Sequence, residues 1–374
     1  MKRTMKRKWK TWLLIASASL GLHYFMIILA QIVLNGGFSF PALFALLEQR
    51  LTLPGDAVRY LDIAQNGYVA EGENAINLVF YPLYPLCIRA LGAVLGSLPL
   101  AGMAISQLCY GGAAILLYEL ILLDGTAENA WDGVLLLALY PFSMFVMGVY
   151  TEGLFLLLTI GCLYALRREK YPWAGALGFL AALTRTQGML LIFPAVYEWV
   201  THRLGKNGKG MRPGDAALLL IPAGFGVYLL LNVHLHGNPF QFLLYEAGEP
   251  WYQTAQWIGR NIAVQFGQAL EYPPLGLFIY WVQIALYFFT LGVLLFGARR
   301  QERVAYLLYG GAYLGFTYLS GWMISGGRYM LCCVPVYLVL CKVRPGVGKK
   351  LLIAGEALLF FSYSLFYLQG FAIM

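Results

Sequence analysis

The chain has 374 residues, of which 60% are hydrophobic and only 12% are charged, against roughly 25% charged residues in soluble domains. A mean hydropathy of +0.66 exceeds what a water-soluble core needs, which excludes a soluble enzyme, a disordered chain and a fibrous protein. Apolar runs of about 20 residues recur along the whole chain, whereas the alternating ten-residue strands of a β-barrel do not appear. The sequence therefore predicts an all-α polytopic integral membrane protein.

The net charge of +8 is concentrated in a few short segments. Cytoplasmic loops of membrane proteins carry an excess of lysine and arginine, so we interpret these segments as a topology signal rather than as a nucleic-acid-binding surface. The amino terminus is then expected to be cytoplasmic. Twenty of the 26 lysines and arginines lie in residues 1–10, 167–170, 201–213, 299–303 and 342–350.

About eleven apolar segments are candidate membrane spans. The first exceeds the 7–15 apolar residues of a signal-peptide core, so we expect a retained span rather than a cleaved leader. In chain order the segments are about 12–34, 100–123, 132–149, 152–166, 172–185, 188–201, 214–234, 273–297, 303–322, 328–342 and 350–371.

One further apolar segment, 78–97, contains two prolines and an arginine within ten residues. Counting it as a span would place the amino terminus and the basic residues 167–170 on opposite sides, so we predict that it lies along the outer interface. Residues 35–99 then form a large outer loop and 235–272 a second outer loop. Residues 1–374 are predicted to form a single integral membrane domain.

Two regions are too short for two full spans, yet their flanking charges require the chain to enter the membrane and return to the same side. Residues 172–201 lie between two basic loops, with the polar break 184–188 in the middle, and 132–166 has a similar break at 150–152. Short, broken helices are tolerated where they line a water-accessible cavity enclosed by protein. We expect both breaks to meet on the outer side, beside the loop 35–99.

The residues that could carry chemistry each have a structural alternative. Arg185 and Arg328 border long apolar stretches, where an ionisable group is a functional-site candidate unless it snorkels to the headgroups. Arg59 and Arg89 are weaker candidates of the same kind. Asp56 and Asp62 are six residues apart, so no acid/base pair is predicted, and either could be a helix cap or a solvated side chain.

Three more polar positions also have both a functional and a structural interpretation. Glu152 follows Thr151 at an apolar break, where Thr151 could be a helix N-cap. His234 and His236 lie at a helix end and are either solvated or able to bind a phosphate. No group of His, Cys or Asp has metal-ligand spacing and no glycine-rich nucleotide loop occurs, so no metal or cofactor is predicted. The cysteines are interpreted as small buried apolar residues: Cys87, Cys109, Cys162, Cys332, Cys333 and Cys341.

Several motifs together resemble the PIG-V-like mannosyltransferases. Residues 56–68, DAVRYLDIAQNGY, followed by FYPLYP at 80–85, are similar to that family's W-D-x-x-x-Y/F-x-x-I-A-x-x-G-Y signature and its F-F-P-L-Y-P stretch. The other matches follow in the family's order, although Gly55 replaces the usual tryptophan. They are Pro141, Tyr150-Thr151-Glu152, Leu183-Thr184-Arg185-Thr186-Gln187-Gly188, Gly327-Arg328-Tyr329 and Pro335.

The resemblance implies a GT-C-type glycosyltransferase fold with an active site facing away from the cytoplasm. It further implies a polyprenyl-phosphate sugar as donor, typically of mannose, a lipid- or glycan-linked acceptor, surrounding membrane lipids, and Asp56 as the catalytic base. Inverting sugar transfer needs a base and cations for the departing phosphate, and arginine suits the latter. The candidate substrate-binding residues are Arg59, Tyr60, Asp62, Tyr84, Glu152, Arg185, Gln187, His234, Arg328 and Tyr329.

A polytopic transporter or lipid flippase is the alternative function, because broken helices and charges at membrane depth also occur in transporters. The chain shows no inverted repeat, and transport has no need for a long outer loop with an acidic and aromatic signature. No Asn-x-Ser/Thr glycosylation sequon occurs, which favours a bacterial plasma membrane.

Overall fold

The computed structural model describes residues 2–52, 55–205, 208–273, 276–321 and 325–371. Within these ranges the regular structure is helical, apart from one β-bridge between Ala255 and Ser320. The helices are α1 (Lys2–Asn35), α2 (Phe40–Leu51), α3 (Asp56–Asn66), α4 (Leu83–Leu95), α5 (Leu98–Ile121), α6 (Ala127–Leu139), α7 (Glu152–Arg167), α8 (Tyr171–Ala182), α9 (Ile192–Arg203), α10 (Leu220–His236), α11 (Gln241–Ala247), α12 (Ile258–Glu271), α13 (Trp281–Arg299), α14 (Val304–Tyr318), α15 (Gly326–Met330), α16 (Val334–Leu340) and α17 (Val347–Gln369).

Short 3₁₀ and π segments connect several of these helices. The 3₁₀ segments are Glu73–Val79, Ser143–Val146, Thr186–Leu191 and Pro213–Leu219, and a π turn covers Gly276–Tyr280. All-α architecture is therefore confirmed for the described part of the chain.

Five helical stretches in the described residues are long and apolar enough to cross a membrane, which supports an integral membrane protein. A sixth would be added if the 3₁₀ segment Glu73–Val79 and α4, which are bent by 110°, formed one broken span. The other candidate spans are shorter or interrupted helices, so the expected eleven crossings stay a prediction. The five stretches are Lys8–Asn35, Leu98–Ile121, Pro213–His236, Phe278–Arg299 and Val347–Gln369.

Two of the predicted spans, 132–149 and 328–342, are interrupted helices in the structure. Helix α6 ends at Leu139 because Pro141 forces the preceding Tyr140 into an extended conformation, with ψ at 133°. The break that was expected at 150–152 therefore begins ten residues earlier. The predicted span 328–342 is divided between α15 and α16, with Pro335 in the first turn of α16.

The break predicted within 172–201 is confirmed. Helix α8 ends at Ala182, and Arg185 is fully extended, with φ −155° and ψ 150°. A 3₁₀ segment, Thr186–Leu191, then leads directly into α9. The chain thus turns at Arg185, the residue that the sequence identified as a charge at membrane depth.

Tyrosine hydroxyls donate hydrogen bonds to backbone carbonyls around the interruption between α15 and α16. Tyr140 donates to the carbonyl of Gly327 at 3.2 Å, Tyr313 to that of Tyr329 at 2.9 Å and Tyr337 to that of Leu331 at 2.8 Å. Backbone polar groups away from water need hydrogen-bond partners, and these bonds add to the backbone bonds that Gly327 and Tyr329 already accept. They also fix the position of α15, which carries Arg328.

Ion pairs join the four internal basic segments at one end of the molecule. Lys209 contacts Glu169 at 2.6 Å, Arg303 contacts Glu198 at 2.7 Å, and Lys342 contacts Glu302 at 2.7 Å. Arg167 pairs with Asp124 at the same end, between α5 and α7. We call this end the basic end; its common location agrees with loops that share one side of a membrane.

The segment 35–99, which the sequence predicts to be an outer loop, is held together by its own polar side chains. Asp62 accepts hydrogen bonds from Asn66 and Asn77, both at 2.7 Å, and Asn77 also accepts one from Arg59 at 3.2 Å. Arg89 donates to the carbonyl of Ala64 at 2.6 Å, at the carboxyl end of α3, where a cation is favoured by the helix dipole. These contacts fix α3, whose first residue is Asp56.

Candidate active site

Four charged side chains from four separate elements meet in one cluster. Glu152 Oε1 lies 3.0 Å from Arg185 Nη2 and 2.6 Å from Arg328 Nε. Arg328 Nη2 in turn pairs with Asp56 Oδ2. Positive and negative groups therefore alternate in the order Asp56, Arg328, Glu152, Arg185, which we call the charge cluster.

Local structure explains why each member reaches this place. Asp56 and Glu152 are the first residues of α3 and α7, where the helix dipole stabilises negative charge. Arg185 occupies the extended break after α8, and Arg328 lies in the short α15. Because α7 ends at Arg167 near the basic end, its 16 residues place Glu152 about 24 Å away from that end.

Burial differs sharply within the charge cluster. The side chains of Glu152, Arg185 and Arg328 are 0%, 6% and 7% exposed, whereas that of Asp56 is 25% exposed. Charges removed from water must be paired, and the two carboxylates and two guanidinium groups balance to zero net charge. The cluster therefore opens to an approaching molecule at Asp56.

Aromatic rings surround the two arginines. The guanidinium carbon of Arg185 lies 4.7 Å from the centre of the Tyr329 ring, and that of Arg328 lies 5.8 Å from the same ring. Arg328 also lies 5.1 Å from the Tyr150 ring and 5.4 Å from the Phe145 ring. Such contacts stabilise a desolvated cation and hold both guanidinium groups in fixed positions.

The sequence reasoning missed several of these contacts. Phe145 was not singled out, although it lies in the 3₁₀ segment between α6 and α7. The N-cap interpretation of Thr151 is wrong, because its hydroxyl makes no capping bond and is buried without a hydrogen-bond partner in the described residues. The proximity of Glu152 to both arginines could not be read from the sequence, since it depends on long-range packing.

Gly55 replaces the tryptophan of the family pattern, and its backbone conformation accounts for glycine at this place. Its φ is +60° and its ψ −129°, a region that L side chains rarely adopt. A Cβ atom there would lie 3.7 Å from the Tyr150 hydroxyl oxygen. The glycine thus allows the turn that delivers Asp56 to Arg328.

Several predicted binding residues have structural partners instead. Tyr84 is fully buried, and its hydroxyl bonds Ser106 Oγ at 2.7 Å. Asp62 and Arg59 both bond Asn77 within the segment 35–99. Their predicted contact with substrate stays a prediction, beside the alternative that Asp62 is a structural group.

Three other predicted residues differ in their distance from the charge cluster. Tyr60 is 5% exposed, lies one helical turn from Asp56 on α3, and packs edge-on against Phe80 at 5.0 Å. Gln187 is buried in the 3₁₀ segment just after Arg185. His234 is exposed on the last turn of α10, and no contact joins it to the charge cluster in the described part of the chain.

No group of three or more His, Cys, Asp or Glu side chains able to hold a metal ion occurs in the ranges that the structure describes.

Comparison with known proteins matches residues 39–201 to the family model described as Mannosyltransferase (PIG-V). Among curated relatives, the Cricetulus griseus GPI alpha-1,6-mannosyltransferase 2 is 31% identical over 149 residues, or 37% of this chain and 29% of the relative. GPI mannosyltransferase 2 of Yarrowia lipolytica is 30% identical over 149 residues, or 38% of this chain and 39% of the relative. The human GPI alpha-1,6-mannosyltransferase 2 is 28% identical over 149 residues.

These matches confirm the resemblance inferred from the motifs. The matched regions span well under half the length of these relatives. Asp56, Glu152 and Arg185 lie inside the region that matches the family model, whereas Arg328 and Tyr329 lie beyond it. Although Arg328 lies beyond the matched region, its contacts with Asp56 and Glu152 place it in the same cluster.

The charge cluster predicts that Glu152 is more important for stability than any exposed acid. Glu152→Gln would leave two buried guanidinium groups with one carboxylate, which typically destabilises a protein by about 3–5 kcal/mol. We expect a large fall in the melting temperature of the protein in nanodiscs. The matched control is Asp124→Asn, since the pair with Arg167 is partly exposed and such pairs contribute about 0–1 kcal/mol. Equal shifts in the two variants would contradict the account.

Proposed function

Residues 39–201 are PIG-V-like, and from that premise we propose that the chain is a membrane mannosyltransferase acting through the charge cluster. The single observation that carries the proposal is the buried alternation of Asp56, Arg328, Glu152 and Arg185, open at Asp56. Two arginines suit an anionic leaving group, and one accessible carboxylate suits a base. Both are needed for sugar transfer from a lipid phosphate.

The donor in this proposal is a polyprenyl-phosphate-linked mannose, and the acceptor is a hydroxyl group on a lipid or glycan. The names of the relatives specify mannosyl transfer, which supports mannose as the sugar. A donor anchored in the bilayer would reach the cluster from the membrane. The several apolar helices of the chain support such a membrane location.

The proposed reaction is a direct displacement at the anomeric carbon with inversion. The acceptor oxygen forms a bond to that carbon while the bond from the carbon to the phosphate oxygen breaks, and its electron pair passes to the phosphate. The acceptor proton passes to Asp56, where Oδ1 is the oxygen not paired with Arg328. The products are the glycoside and a polyprenyl phosphate with additional negative charge.

The arginines would stabilise that additional charge. Each guanidinium group has five N–H donors, more than Glu152 and Asp56 occupy. Donors already fixed by carboxylates and aromatic rings need little reorganisation when the phosphate departs. In this proposal Glu152 touches no substrate and is a positioning residue for both arginines.

The wider architecture belongs to the same proposal: a GT-C-type fold with about eleven membrane crossings and the charge cluster on the extracytoplasmic side of a bacterial plasma membrane. The separation of the charge cluster from the basic end supports this orientation, because basic loops favour the cytoplasm. The amino terminus would then be cytoplasmic as well.

The role of Asp56 can be tested by removing its basicity while keeping its size. We expect Asp56→Asn to lower transfer from radiolabelled polyprenyl-phosphate mannose to a membrane-lipid extract by about 10²–10⁴-fold, because general-base catalysis typically contributes this much. Asp62→Asn is the matched control, since its carboxylate only holds Asn66 and Asn77. The assay uses full-length protein in nanodiscs, with melting temperature as the folding control. An active Asp56→Asn beside an inactive Asp62→Asn would move the base to Asp62.

The role of Arg328 can be tested by binding rather than by turnover. We expect Arg328→Ala to weaken binding of polyprenyl phosphate to the protein in nanodiscs by at least about 10-fold, since charge-assisted hydrogen bonds are roughly twice as strong as neutral ones. Arg328→Lys should recover little, because an ammonium group cannot replace a bidentate fork. Arg260→Ala, in the second outer loop, serves as the control. Unchanged binding in folded Arg328→Ala protein would place the phosphate elsewhere.

A further inference from the structure

The second outer loop is anchored over the first by the short helix α11. Phe242 of α11 is 4% exposed and packs on Tyr228, at 5.2 Å between ring centres. Tyr228 stacks on Tyr81 of the first loop at 3.9 Å, and its hydroxyl donates to the carbonyl of Leu78 at 2.7 Å. The backbone N–H of Phe242 donates to Asn232 Oδ1 at 3.0 Å. This aromatic stack fixes the orientation of α11.

Glu246 lies one helical turn after Phe242 and hence on the same, inward face of α11. It is half-buried, and no cation pairs with it in the residues that the structure describes. Burial raises the pKa of Glu246 to about 7. A half-buried carboxyl group without a cation still loses part of its hydration, and burying a charge without compensation is unfavourable.

The surroundings of Glu246 lead directly to the charge cluster. Its helix packs on Tyr228, which stacks on Tyr81. The Tyr81 hydroxyl shares a hydrogen bond with Thr186 Oγ1 at 2.8 Å, and Thr186 directly follows Arg185. Tyr329 is the ring that both arginines contact. Glu246 therefore lies on the face of α11 that packs toward Tyr81, whose hydroxyl bonds the residue after Arg185, although its own loop lies outside the region that matches the family model.

We propose that Glu246 accepts a hydrogen bond from a ring hydroxyl group of the transferred sugar and so helps to select it. The assignment rests on the proposed function, in which the arginines hold the donor phosphate. The sugar attached to that phosphate lies within one pyranose ring of it, in the region of Tyr329. A carboxylate would repel the phosphate but readily accepts hydrogen bonds from sugar hydroxyls, and an aromatic ring offers a surface for the apolar face of a sugar.

The experiment compares two lipids that differ only in the sugar. Full-length protein in nanodiscs is titrated with radiolabelled polyprenyl-phosphate mannose and, separately, with polyprenyl phosphate. Hydrogen bonds to charged groups typically contribute enough to change affinity about 10-fold or more. We expect Glu246→Gln to raise the Kd for the mannose lipid about 10-fold while leaving the Kd for polyprenyl phosphate unchanged, and Glu246→Ala to have the larger effect.

The matched control is Glu249→Gln in the same loop, where the exposed carboxylate accepts a hydrogen bond from Tyr252. This variant should bind both lipids as the unmodified protein does. Unchanged mannose-lipid binding in both Glu246 variants would overturn the assignment alone. Equal weakening for the two lipids would also overturn it, because Glu246 would then act on the phosphate site or the fold. If the unmodified protein binds neither lipid, the proposed function fails, and the assignment fails with it.

Discussion

Glu152 is fully buried, and its charge is balanced only because two arginines from distant parts of the chain reach the same carboxylate oxygen. An unpaired charge in this environment would be strongly unfavourable, so α7, the break after α8 and the short α15 must be placed together for the protein to fold. The fourth member, Asp56, completes the balance and is the one that remains accessible. The pairing that balances the charge of Glu152 thus also places two fixed arginines close to the accessible carboxylate of Asp56.

Interrupted helices make this arrangement possible. In a continuous helix, the backbone groups bond one another and the regular geometry fixes where each side chain lies. Arg185 or Arg328 would then not reach the charge cluster. Instead, Arg185 is extended, and α15 is a short helix whose neighbouring carbonyls bond the hydroxyls of Tyr140, Tyr313 and Tyr337. These three tyrosines therefore supply hydrogen bonds where the backbone departs from helical geometry.

The sequence predicted the features that depend on local composition. Apolar run length identified the five long apolar helices, charge clustering identified loops that meet at one end, and the polar break at 184–188 was located correctly. Prediction from the sequence failed for contacts that depend on long-range packing. The sequence around Thr151 and Glu152 does not distinguish a helix cap from an acid that pairs with remote arginines. Nor does the sequence show that the Tyr84 hydroxyl bonds Ser106 in the core. Glu246 was missed because its only local signal is an acid in a loop, and its importance depends on how α11 packs on Tyr81 and Tyr228.

The most direct test of the account is the position of a bound donor. A cryo-electron microscopy structure of the full chain in nanodiscs, with Asp56→Asn to prevent turnover and polyprenyl-phosphate mannose as ligand, would provide it. We predict that the lipid phosphate lies within hydrogen-bond distance of Arg328 and Arg185, with the anomeric carbon facing residue 56. A phosphate bound at the basic end, with the Arg328, Glu152 and Arg185 contacts closed and no sugar near them, would contradict the account.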